Sequence, residues 1–65
     1  MKVKLLNEDA DVLAEIESNT DLEGSIMIID SLTSYVIDNE EYERIDKNIK
    51  LDTDTNSLEV YIEKI

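Results

Sequence analysis

The chain contains no cysteine and no histidine. The first absence rules out disulfide reinforcement and thiolate metal sites, and the second removes the commonest neutral metal ligand and the commonest general base. Tryptophan and phenylalanine are also missing, and Gly24 is the single glycine, too few to build a glycine-rich phosphate cradle. Basic residues are scarce: six Lys and Arg stand against seventeen Asp and Glu, for a formal charge of −11. From Leu5 through Glu43 there is no Lys or Arg at all, while twelve acids occur there. Such a field repels nucleic acid and anionic membrane and attracts basic surfaces. Direct contact with nucleic acid or with a membrane is therefore not expected.

What is present is aliphatic. Ile, Leu and Val are plentiful enough to predict a folded domain rather than a disordered acidic tail. The 65 residues make one small acidic β domain, 1–65, which buries only about 60% of the surface its unfolded chain exposes. With no disulfide available, association with itself or with a partner is the remaining reinforcement for so small a core. The opening Met1-Lys2-Val3-Lys4-Leu5-Leu6 is cut short by Asn7, Glu8, Asp9 and Asp11, too early for a signal-peptide core or a membrane span. A cytoplasmic location is the resulting expectation.

Alternation of apolar and polar residues predicts several short strands. Met1 to Leu6 is the first, and Val12 to Ser18 pairs with it across the polar Asn7 to Asp11 turn. The second segment also admits a short helix capped by Asp9, with Val12, Leu13 and Ile16 as its stripe. The densest apolar run, Ile26-Met27-Ile28-Ile29, reads as a central strand needing cover on both faces, entered through a positive-φ Gly24. Asp30 to Thr33 reads as a turn and Ser34 to Asp38 as the antiparallel partner of that strand. Asn39 to Asp46 is expected to be a turn or one short helix capped by Asn39. Asn48 to Leu51 and Leu58 to Ile65 pair as a terminal hairpin around the polar Asp52 to Ser57 tip. The predicted fold is mainly β: a small, strongly bent antiparallel sheet or SH3-like partial barrel of five to six short strands, with room for one short helix. That comparison is one of architecture and carries no function.

Patterns that carry chemistry are few. Asp52, Asp54, Asn56 and Glu63 occupy ligand positions one, three, five and twelve of a calcium loop, but Ser57 stands where such loops need glycine and Glu59 where they need an apolar residue. Leu58, Val60 and Ile62 alternate as a strand and carry Glu63 away from the turn, so a solvated hairpin tip is the reading preferred. Carboxylate pairs abound, yet a chain of this length offers no deep cleft to shift their pKa values, and no Ser or Tyr has a histidine to activate it. No catalytic, cofactor-binding or metal-ligating residues are assigned.

Rows of outward acids are the remaining signal. Glu15 and Glu17 share one strand face, Glu59 and Glu63 share another around Tyr61, and Glu40, Glu41, Tyr42 and Glu43 follow one another. Acids fixed on a sheet can imitate the charges of a nucleic-acid backbone, and Tyr42 adds a side chain favoured at interfaces. The expectation is a non-enzymatic acidic protein-binding module that docks on a basic protein surface, such as that of a nucleic-acid-binding protein, and inhibits it. Its partner-binding residues would be Glu15, Glu17, Glu40, Glu41, Tyr42, Glu43, Glu59 and Glu63. The alternative is a homo-oligomeric structural or small-ligand-binding module assembled through the Ile26–Ile29 strand.

Overall fold

In the computed structural model, which describes residues 1–65, the chain runs β1 (Lys2–Leu6), β2 (Val12–Glu17), α1 (Leu22–Ser31), β3 (Tyr35–Ile37), β4 (Glu40–Arg44), β5 (Lys50–Asp52) and β6 (Ser57–Lys64). The strands form one strongly curled sheet, a half-barrel, in the order β2-β1-β6-β4-β3 with β5 also pairing β6. The mainly β class and the strand number are as the alternation predicts, and the one short helix is present, though over a segment read as loop and strand. No helix is long and apolar enough to cross a membrane.

The first hairpin forms as read. Asn7 Oδ1 accepts the backbone N–H groups of Asp9 and Asp11, both at 2.9 Å, which closes the turn, and Val12–Glu17 is a strand and not a helix. Its register sets Val3 opposite Ile16 and Lys4 opposite Glu15, with a bulge between Leu5 and Leu6. The terminal hairpin is also present, with Leu51 opposite Leu58. The β1–β6 pair, however, is parallel, so the sheet is mixed. A tight hairpin can join only antiparallel strands, whereas the whole intervening chain, helix included, separates β1 from β6 and brings β6 back in the same direction.

The Ile26–Ile29 strand does not exist; those residues lie in α1. Asp21 caps the helix, its carboxylate accepting the Gly24 N–H at 2.9 Å, and Glu23 adds a favourable acid to the first turn. The helical period then turns Ser25, Ile26 and Ile29 toward the sheet and leaves Met27 and Ile28 outside, which satisfies one apolar stripe where a strand would have left two. Gly24 accordingly has no positive φ. It is needed because a Cβ there would run into the Thr20 side chain.

Asn39 caps no helix either, for Asn39–Asp46 contains strand β4. Asp38 and Asn39 both adopt left-handed backbone, φ 51° and 67°, which is the two-residue turn that matches the twist of a hairpin. It sets Tyr35 opposite Tyr42 and Ile37 opposite Glu40, so Ser34 to Asp38 finds its antiparallel partner in β4 rather than in Ser25–Asp30.

The core lies on the concave side of the sheet, where Val3, Leu5, Leu58, Val60, Ile62 and Tyr35 meet Ile29 of the helix. Val60 and Ile62 are fully buried, each worth about 1.5–3 kcal/mol of transfer free energy. Arg44 ties the helix down. Its guanidinium donates to Asp30 Oδ1 at 2.8 Å, to the Asp46 carbonyl at 3.3 Å and to the Lys47 carbonyl.

Candidate interaction surface

On the convex side, the register of β4 and β6 places Glu43 directly across from Glu63. The Ile65 N–H donates to the Glu41 carbonyl at 3.0 Å and continues that pairing, while Val36 of β3 stands opposite Glu41. Since side chains alternate along each strand, Glu41, Glu43, Glu63, Val36 and Ile65 share one face. Val36 is 70% and Ile65 65% exposed. None of the three glutamates is ion-paired. Like charges directly opposite one another in an antiparallel pair destabilise it.

Other acids read from the sequence are differently placed. Glu15 Oε2 lies 3.5 Å from Lys2 Nζ, and Glu17 Oε1 lies 3.8 Å from the Met1 amino group. Glu59 sits between Lys4 of β1 and Lys50 of β5 in register, so that row alternates in sign. Glu40 and Tyr42 are on the opposite side of β4 from Glu41 and Glu43. There Glu40 Oε1 accepts from Lys64 Nζ at 2.8 Å and Oε2 from the Tyr42 hydroxyl at 3.2 Å. The Lys64 bond holds the Glu40 carboxyl below the usual carboxylate range and raises the Lys64 ammonium above its own. The fold thus gathers Glu41, Glu43 and Glu63, ion-pairs Glu15 and Glu17, sets Glu59 between two lysines in register, and engages Glu40 and Tyr42 with each other.

At the hairpin tip the Asp52 carboxylate accepts from the Thr55 hydroxyl at 2.9 Å and the Asp54 N–H at 3.1 Å. These bonds, the hydroxyl first, lower its pKa. The residues of the calcium-like pattern are turn-forming, and Glu63 is carried to the far end of β6. No group of three or more acidic side chains gathers as a metal-ligating set.

Reasoning from sequence missed a second feature, on the concave side. Between α1 and the first hairpin runs a cleft of about 400 Å³, walled by Val3 and Leu5 of β1, Ile16 of β2, and Ile28 and Leu32 of the helix segment. Tyr35 lines it, and the Tyr35 hydroxyl is buried with no hydrogen-bond partner. Burial pushes that hydroxyl's pKa up. The overlooked signal was Asp21: an Asp followed by an acid and an apolar period marks a helix start, and that helix forms one wall of the cleft.

Comparison with protein-family models, with curated proteins and with solved structures finds no match for this chain.

Proposed function

We propose that the chain is a non-enzymatic, acidic protein-binding module that docks the convex face of β4 and β6 on a basic surface of a partner, such as a protein that itself holds nucleic acid. The observation that carries this reading is the Glu43–Glu63 pairing, with Glu41 one rung away and none of the three ion-paired. Elsewhere the same sheet sets Lys4 against Glu15 and Lys4 against Glu59. A sheet selected for stability alone would place a cation opposite Glu63 too. Repulsion left in place is relieved when a partner supplies that cation, and an Arg fork can accept both carboxylates. Exposed Val36 and Ile65 add apolar contact beside the charges, while the overall negative field speeds encounter.

The test is retention from cell extract on immobilised protein, washed across a salt series, with the wild type beside a Glu41→Gln, Glu43→Gln, Glu63→Gln variant. Basic proteins should be held by the wild type, released by rising salt or by excess duplex, and not held by the variant. Equal retention by both, or retention indifferent to salt, removes the reading.

A further inference from the structure

We propose that the open edge of β2 takes up an extended segment of another protein as a seventh strand, and that the segment is one in which basic and aliphatic residues alternate. β2 ends the sheet on the side opposite β3, and β1 stands between it and β6. The site is therefore separate from the β4–β6 face.

The hydrogen-bond register fixes what the edge offers. The Ser18 N–H donates to the Met1 carbonyl at 2.8 Å and the Met1 amino group donates to the Ser18 carbonyl at 2.7 Å, so these two residues exchange both bonds. Opposed residues in an antiparallel ladder alternate between bonded and non-bonded pairs, which makes Lys2–Glu17 and Lys4–Glu15 non-bonded pairs. The backbone N–H and C=O groups of Glu15 and Glu17 thus point away from β1, where no strand lies. Glu15, Ile16 and Glu17 are all exposed, so nothing in the chain covers that edge. Four main-chain groups are left in position for a further ladder.

The rows of side chains that cross the sheet select the segment. On the convex side Lys50, Glu59, Lys4 and Glu15 stand in register across β5, β6, β1 and β2, alternating in sign and ending on an acid. The neighbouring row, on the concave side, is Leu51, Leu58, Val3 and Ile16, aliphatic throughout. Along it exposure rises from 1% at Leu58 and 5% at Val3 to 47% at Ile16, where the sheet stops. Continuing both rows by one strand sets a cation beside Glu15 and an aliphatic side chain beside Ile16. β1 is itself such a strand: Lys2, Val3, Lys4 and Leu5 face Glu17, Ile16, Glu15 and Ala14 from the other side. Glu15 already meets Lys2 at 3.5 Å, but a carboxylate between two lysines is the arrangement that Glu59 has in register.

A second copy is the wrong occupant. β2 laid antiparallel on β2, centred on Glu15 or on Ile16, sets Glu15 against Glu15 or against Glu17, like charges directly opposite, and each chain carries −11. The acids close the edge to the chain itself and leave it open to a basic strand.

The test uses the full chain and a short acetylated and amidated peptide of alternating Lys and Val, followed by amide NMR. Shifts should centre on Glu15, Ile16 and Glu17. Hydrogen exchange at the Glu15 and Glu17 N–H groups should slow by about ten-fold or more at saturation, because strand pairing bonds them and charge attraction alone does not. Methylating the Lys backbone nitrogens, which the register turns toward β2, should abolish that protection, whereas methylating those of Val should leave it. A peptide of the same composition with Lys and Val in separate blocks should give none. Glu15→Gln should weaken the alternating peptide about three-fold, as loss of one cross-strand ion pair does, while Glu8→Gln, at an exposed turn position, makes the same change in total charge and should not. The proposal is overturned if the peptide leaves exchange at Glu15 and Glu17 unslowed, if the block peptide protects them equally, if Lys methylation makes no difference, or if the shifts centre instead on Glu41, Glu43 and Glu63. Light scattering gives the remaining outcome: a dimer that protects the same amides without peptide would assign the edge to a second copy and overturn it too.

Discussion

Replacing Glu63 with lysine should stabilise the fold and weaken binding to a basic partner. Glu63 faces Glu43 across the β4–β6 pair, and neither is ion-paired. Two unit charges about 6 Å apart in water repel by about 0.7 kcal/mol, and screening at physiological ionic strength, where the Debye length is about 8 Å, roughly halves that. Glu63→Gln removes the repulsion. Glu63→Lys turns it into an attraction of similar size, so the change doubles to about 1.4 kcal/mol at low salt and about 0.7 kcal/mol at physiological salt. For a domain of 65 residues each kcal/mol moves Tm by about 4–8 °C. Thermal melts followed by circular dichroism at two salt concentrations should therefore rank Glu63→Lys above Glu63→Gln above wild type, with the spread narrowing as salt rises. Lowering the total charge from −11 to −9 relieves some repulsion wherever the substitution is made. Glu8→Lys, at an exposed turn position, makes the same change in total charge away from the pair and serves as the control. If Glu63→Lys gains no more than Glu8→Lys, Glu43 and Glu63 do not repel in the fold, and the reading of the convex face loses its support.

Three other outcomes follow from the same structure. Arg44→Met keeps the aliphatic stem but deletes the bonds to Asp30, Asp46 and Lys47, and should cost about 2 kcal/mol in urea unfolding, loosening α1 first in amide exchange. Ala10 holds a left-handed φ of 66°, which costs an L-residue about 1–2 kcal/mol, so Ala10→Gly should raise stability by up to about 1 kcal/mol after glycine's greater unfolded-state entropy is subtracted. Glu40 has its pKa lowered in the fold by Lys64, so the stability of that pair is present above the ordinary carboxylate pKa and is lost as pH falls through the depressed value; Asp52, lowered by Thr55, acts in the same direction. Melts of the wild type and Glu40→Gln should differ at neutral pH and converge in acid, and a gap that widens in acid would contradict the assignment.

Much of the β framework was legible one segment at a time. Leu58, Val60 and Ile62 alternate with Glu59, Tyr61 and Glu63, and the fold buries the first set; Asn7 and the tip after Asp52 are turn formers, and both turn. Local signals failed where two elements share one composition. Ile26 to Ile29 suits a buried strand or a buried helix equally by periodicity, and the Asp21 cap decides it. Asn39 suits a helix cap or a hairpin turn, and its left-handed backbone beside Asp38 makes it the latter.

The sequence by itself determined an acidic, cysteine-free, mainly β domain with hairpins at either end, because strand alternation, turn chemistry and net charge are properties of neighbouring residues. Only the tertiary structure decided that β6 runs parallel to β1, that Glu43 meets Glu63 with neither ion-paired, and that Tyr35 is buried unpartnered beside an open cleft. Those are meetings of residues far apart along the chain. Register, helix docking and desolvation set them, and no short stretch of sequence contains that information.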